Sequence, residues 1–211
     1  LLECGSGVVS SLQKAADIKD IDAVLITHYH YDHCCDLGPL QYAWQIKTQL
    51  GEIHKPLPIY APEGEFSKLL KWEDYTYGVS FNEYSNLSLG PFEIKFIKNV
   101  HPVEAYSVKI KCCDKVFSFT SDTSYFDNLA EFFSGSDLLI CECSFYSNMD
   151  GREAGHLNSA QAGMLAEKAN IKKLILTHLP HFGNLHDLLT QAKDHYNGDI
   201  KLASYLMEIN I

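Results

Sequence analysis

The chain has no long apolar run: no stretch approaches the ~18 consecutive apolar residues of a membrane span, so nothing in its sequence reads as a transmembrane helix. It also lacks CxxC spacing. Its seven cysteines, Cys4, Cys34, Cys35, Cys112, Cys113, Cys141 and Cys143, are odd in number and include two adjacent pairs that cannot easily bridge. That pattern argues against a disulfide framework and for reduced thiols in a cytoplasmic protein. Basic clusters are missing too. No block is longer than Lys172-Lys173 and the net charge is −10, a balance that disfavours a large polyanion as partner. There are no repeats, low-complexity segments or linkers, so residues 1–211 read as one domain, long enough to bury a real core.

What the sequence does have is histidine in a concentrated form. After the apolar run Ala23-Val24-Leu25-Ile26 the chain reads His28-Tyr29-His30-Tyr31-Asp32-His33. Three imidazoles and a carboxylate within six residues suit zinc, with manganese or iron as alternatives. His28 and His30 can share one side of an extended turn, while Asp32 and His33 lie where the chain bends. A single catalytic ion needs three protein ligands and an open position, so four donors here point to two ions.

Three further donors follow strand-like runs. His101 comes after Phe92 to Ile97, Asp122 after Val116 to Phe119, and His178 ends Leu174-Ile175-Leu176-Thr177. Ligands at the carboxyl ends of buried strands are where open α/β sheets place their sites. A lone His or Asp at a strand end is commonly a cap or turn residue. Four strand ends presenting His or Asp are hard to ascribe to coincidence.

With those residues in view, the chain resembles the metallo-β-lactamase superfamily of metal-dependent hydrolases. Its HxHxDH motif is matched by His28, His30, Asp32 and His33, and its later single ligands by His101, Asp122 and His178. The resemblance implies an αβ/βα four-layer sandwich of two mixed sheets flanked by helices. It implies two divalent ions, one held by His28, His30 and His101 and one by Asp32, His33 and His178, with Asp122 bridging. Within the superfamily the chain looks most like the ribonuclease Z branch and small bacterial hydrolases near it. Leu139-Ile140-Cys141-Glu142-Cys143-Ser144-Phe145 resembles the branch's HEATF segment with Cys141 in place of its His, and Gly155-His156 resembles its AHST segment. Family members begin earlier, with one or two strands before a Gly-rich turn. Leu1 to Gly7 therefore reads as the end of a strand plus a turn, the domain lacking its N-terminal strands. An edge left open there could pair with a second copy as a homodimer.

Local patterns predict the elements. Ile21 to Thr27 reads as a buried strand, and Leu40, Ala43, Trp44 and Lys47 fall at helical spacing. Ile59-Tyr60 mark a short strand, and Phe66, Leu69 and Leu70 suggest a helix. Phe92, Ile94 and Phe96 alternate; residues 106–119 read as a hairpin turning at Cys113-Asp114. Leu129 to Phe133 and Ser159 to Ala169 look helical, and Leu138 to Cys141 reads as a strand. Leu185, Leu188, Leu189, Ala192 and Tyr196 mark an amphipathic helix, and Lys201 to Leu206 a last strand.

The resemblance also implies the chemistry: hydrolysis by a metal-activated water, with Asp32 orienting the nucleophile or taking its proton. His156 would stand at the rim as proton donor, held by Glu142. A phosphodiester is the natural substrate. Ribonuclease Z enzymes that cut precursor tRNA carry an arm between the ligands matched by His101 and Asp122, and here only residues 102–121 lie between them. That favours a small phosphodiester, a cyclic nucleotide or a short oligonucleotide. A tRNA 3′-processing endonuclease, an ester, lactone or sulfate hydrolase, and a metal-binding module without catalysis are the alternatives.

Overall fold

The computed structural model describes residues 1–64 and 74–211, so the expected helix around Phe66, Leu69 and Leu70 lies outside the described residues. The chain forms two compact units, Leu1–Asn82 and Glu83–Ile211.

In the first unit, α1 (Val8–Ala15) starts at Gly7, whose φ of 79° is left-handed. The chain continues through β1 (Val24–Leu25), α2 (Tyr31–Cys34), α3 (Leu37–Gln49), β2 (Leu57–Pro62) and β3 (Thr76–Phe81). The strands form a parallel sheet in the order β1-β2-β3. The strand expected over Ile21 to Thr27 is shorter than its apolar run. Its start is drawn into a 3-10 turn, Ile21 N–H donating to the Ile18 carbonyl. Leu2 bridges Leu25 in parallel, and Glu3 N–H donates to the Leu25 carbonyl at 2.9 Å. On α3, Leu37, Leu40, Gln41 and Trp44 recur at three and four residues and are buried. Leu37, Leu40 and Trp44 pack with Val24, Ile26, Leu57 and Ile59. Trp44 satisfies its indole by donating to the Lys55 carbonyl at 3.0 Å.

The second unit is built on a seven-stranded mixed sheet in the order β10-β9-β8-β7-β6-β5-β4. Strands β4 (Asn86–Leu89), β5 (Phe92–Lys98), β6 (Tyr106–Cys112) and β7 (Lys115–Phe119) pair antiparallel with one another in sequence order. From β7 onward the pairing is parallel through β8 (Leu138–Glu142), β9 (Lys173–Thr177) and β10 (Asp199–Leu202). Helices α4 (Leu129–Phe133), α5 (Ser159–Lys168) and α6 (Leu185–Lys193) make the parallel connections. The β6–β7 hairpin turns where expected, Cys113 taking φ 56°. Helix α5 opens on a capping box in which Asn158 and Gln161 satisfy each other's backbone N–H groups. Gly163 lets α5 approach α6: a Cβ there would lie 2.4 Å from the Ala192 carbonyl oxygen.

Two boundaries differ from the sequence pattern. Tyr196 lies beyond α6, buried by its own hydrogen bond to the Ile171 carbonyl at 2.8 Å. The last strand runs Asp199–Leu202, earlier than expected, and the chain turns at Leu206 with φ 51°. Among the described residues no helix is long and apolar enough to cross a membrane. All seven cysteines are free thiols.

Candidate metal centre

In the first unit the histidine motif runs off the end of β1 into α2. The His28 Nε2 and His30 Nδ1 atoms lie 3.1 Å apart, near the ~3.3 Å edge of a tetrahedron built on zinc–nitrogen bonds of ~2.0–2.1 Å. His33 starts a second group. Its ring centroid is 4.1 Å from that of His28, and its Nε2 is 3.5 Å from Asp32 Oδ2. His33 Nδ1 sits 3.3 Å from Glu3 Oε2, while Glu3 Oε1 accepts from Thr27 N–H at 3.0 Å. A carboxylate behind an imidazole fixes the ring and leaves its other nitrogen to face a metal. Burial pushes the Glu3 carboxyl up, opposed by its bonds to His33 and Thr27. The Asp32 side chain is 60% exposed, so its carboxylate is open to solvent.

In the second unit the parallel strands deliver the donors side by side. Asp122 follows β7, Glu142 ends β8, and His178 directly follows β9, where Glu142 pairs with Thr177. His101 comes three residues after β5. The Asp122 Oδ2 atom lies 4.0 Å from His101 Nε2 and 3.5 Å from His178 Nε2. Two non-glycine residues here have left-handed backbone, Ser121 at φ 51° and His178 at φ 50°, strain of the kind that collects at functional sites.

Proton placement shows what these nitrogens offer. The Gly155 carbonyl can only accept, so His101 Nδ1 donates to it at 3.0 Å. Ser144 Oγ spends its proton on Glu142 Oε2 at 2.8 Å and accepts from His178 Nδ1 at 2.7 Å. As neutral imidazoles, both rings would turn an Nε2 lone pair towards the Asp122 carboxylate. Lone pairs converging on an anion are stabilised by a cation, and neutral imidazole with carboxylate is a donor set for zinc, manganese or iron. The residues fit a divalent metal.

Asn99 holds this arrangement from below. Its buried amide donates to the carbonyls of Thr120 (2.9 Å) and Asp122 (3.0 Å) and accepts from Ser107 N–H (3.0 Å) and Oγ (2.7 Å). It thereby ties the end of β5, which leads to His101, to the turn that carries Asp122.

Beside these donors stands His156. Its Nδ1 is 3.0 Å from Glu142 Oε1, and its ring stacks on His178 at 5.2 Å with the planes 19° apart. The three residues form a close group. At 16% exposure the His156 side chain is more enclosed than a rim position suggests. Glu142 is buried, also accepting from Thr123 N–H at 2.9 Å. It is no solvated strand-end carboxylate. Cys141, standing where the related segment has His, is a core thiol that burial pushes well above its usual range. Burial likewise raises Cys34 to about 11 and Cys143 to about 12. These thiols are small apolar fillers rather than ligands. The roles of Glu3, Ser144 and Asn99 are not legible in the sequence pattern. The one available signal was Ser144, two residues from Glu142.

A family model described as a β-lactamase superfamily domain matches residues 1–179. The chain belongs to the metallo-β-lactamase superfamily. It has that fold, in which the ligand-bearing strands are the ones described above. Among its relatives is YhfI of Bacillus subtilis (strain 168), named as a probable metallo-hydrolase. It is 40% identical over 205 residues, covering 96% of this chain and 84% of YhfI. The YhfI crystal structure superposes with a TM-score of 0.94, over 97% of this chain and 84% of that one. A ribonuclease Z of Salinispora arenicola (strain CNS-205) is 22% identical over 262 residues, covering 95% of this chain and 82% of the enzyme. The crystal structure of a diphosphatase of the PhnP family shares the fold, with a TM-score of 0.77 at 19% identity, covering 100% of this chain and 79% of that one. Superfamily membership makes the chain a metallo-hydrolase with candidate His and Asp ligands.

Proposed function

We propose that the chain is a dinuclear metal-dependent phosphodiesterase acting on a small phosphodiester, a cyclic nucleotide or a short oligonucleotide. One ion would be held by His28, His30 and His101, the other by Asp32, His33 and His178, with Asp122 shared; zinc suits these donors, and manganese or iron is compatible with them. Bound there, the ions would supply Lewis-acid polarisation of a phosphoryl oxygen and bring the pKa of a water down towards ~7. The observation that carries the reading is the Glu142–His156 pair beside His178. With Nδ1 committed to Glu142, His156 keeps Nε2 to deliver a proton to a departing alkoxide, which a phosphodiester requires. Asp32, open to solvent beside His33, would orient the attacking water or take its proton.

Relatives named ribonuclease Z and a PhnP-family diphosphatase support phosphorus chemistry. Two features favour a small substrate over precursor tRNA. Residues 102–121 are nearly spent on the β6–β7 hairpin, leaving no room for an arm, and the net charge is −10. Seven free thiols support a reducing, cytoplasmic setting. The test is a substrate panel: bis-p-nitrophenyl phosphate, cyclic nucleotides, short oligonucleotides and precursor tRNA against aryl sulfate, lactone and thioester. The reading expects turnover of the small diesters. Preference for sulfate, lactone or thioester would replace it, and preference for precursor tRNA would restore the endonuclease alternative.

A further inference from the structure

We propose that Phe182, on the loop that follows His178 and supported by Tyr146, forms a nucleobase-stacking subsite, so that the substrate is a phosphodiester carrying a purine or pyrimidine. The inference rests on the phosphodiesterase reading above. Phe182 lies four residues after His178 and is 52% exposed as a residue. Tyr146 packs against the core of the second unit, whereas Phe182 stands outside it. An exposed aromatic ring there costs solubility without adding to the core, unless something covers it.

The ring is held in place rather than loose. Tyr146 Oη donates to the Phe182 carbonyl at 2.8 Å, and the two rings stand 5.9 Å apart at 52°. Gly183 follows with φ 76°, and a Cβ there would lie 2.3 Å from the Tyr146 hydroxyl oxygen. Glycine is thus needed for the loop to close on Tyr146 and present Phe182 outward. The support is itself anchored beside the proposed proton donor. Phe145, the residue before Tyr146, bridges Asn158, and its ring lies 6.2 Å from that of His156. One short segment therefore carries the ring beside His156 and the ring beneath Phe182.

The surroundings suit a nucleobase better than a lipid chain or a protein. Apart from Leu185, the exposed neighbours along this segment are His181, Gly183, Asn184, His186 and Asp187. Phe182 and Leu185 are thus the exposed apolar residues of a segment otherwise polar, which suits a flat heterocycle with hydrogen-bonding edges. A base stacked on such a ring gains enough to shift affinity roughly 5- to 100-fold.

Two chromogenic diesters with the same leaving group test this: thymidine 5′-(p-nitrophenyl phosphate) and methyl p-nitrophenyl phosphate, which has no base. The wild type should show the lower KM for the thymidine ester. Phe182→Ala should raise that KM roughly 5- to 100-fold, leave kcat nearly unchanged and leave the methyl ester unaffected. Phe182→Tyr should restore the KM and Phe182→Leu should not, separating stacking from simple burial. An equal effect on both esters, no effect on either, or full restoration by leucine would overturn the subsite and leave the phosphodiesterase reading standing. A wild type that cleaves neither ester would overturn both.

Discussion

His156 Nδ1 lies 3.0 Å from Glu142 Oε1, while the other oxygen of the same carboxylate takes the Ser144 hydroxyl that receives His178 Nδ1. One buried anion therefore orients the proposed proton donor directly and a proposed metal ligand through one hydroxyl. The two roles are separable by mutation. His156→Ala should keep both metals, because His156 is outside the proposed ligand set. It should slow hydrolysis of diesters with alkoxide leaving groups by ~10²-fold or more and spare p-nitrophenolate esters, which depart without protonation. Steady-state rates across a leaving-group series, with metal content measured on the same samples, check this. Equal loss on both substrate types, or loss of metal, would show the role misassigned.

Asn99 makes four hydrogen bonds from a buried position, two of them to the carbonyls of Thr120 and Asp122. Asn99→Ala should destabilise the fold by roughly 2–4 kcal/mol, since several buried partners lose their bonds together. It should also loosen Asp122 and weaken metal retention. Chemical denaturation together with the visible spectrum of the cobalt-substituted protein would read both effects. An unchanged cobalt spectrum would confine Asn99 to a structural role.

How much of this was legible in the sequence depends on distance along the chain. The six-residue histidine motif is local, so its composition reveals it. The strands ending at His101, Asp122 and His178 are legible because their apolar runs alternate or sit between clear turns. The Glu3–His33 contact spans 30 positions of the chain, and no local pattern announces it. Ser144 and Asn99 likewise act through partners on other strands. Helix α1 and strands β3 and β4 went unread. β3 exposes most of its middle residues and β4 alternates only weakly, so neither shows the run or period that marks a buried strand.

A pH effect follows from Asp137. Lys172 Nζ at 2.7 Å, and then the Val116 N–H at 2.8 Å, hold its carboxyl below the ordinary carboxylate range. A folded value below the unfolded ~3.9 means the contribution is fully present above about pH 4. It is lost as pH falls through the folded value. Asp137→Asn should therefore cost about 1 kcal/mol at neutral pH, and the gap to wild type should close in acid. Urea midpoints at pH 7 and pH 3 measure it. A gap that widens in acid would show the sign to be wrong.

The proposed two-metal centre draws on His28, His30, Asp32, His33, His101, Asp122 and His178. Its most direct test is elemental analysis of protein purified without added metal, followed by titration of the metal-free protein with zinc. Zinc content should approach two ions per chain, with Asp122→Ala weakening both. Saturation at one ion per chain, or two ions retained with full affinity after Asp122→Ala, would contradict it.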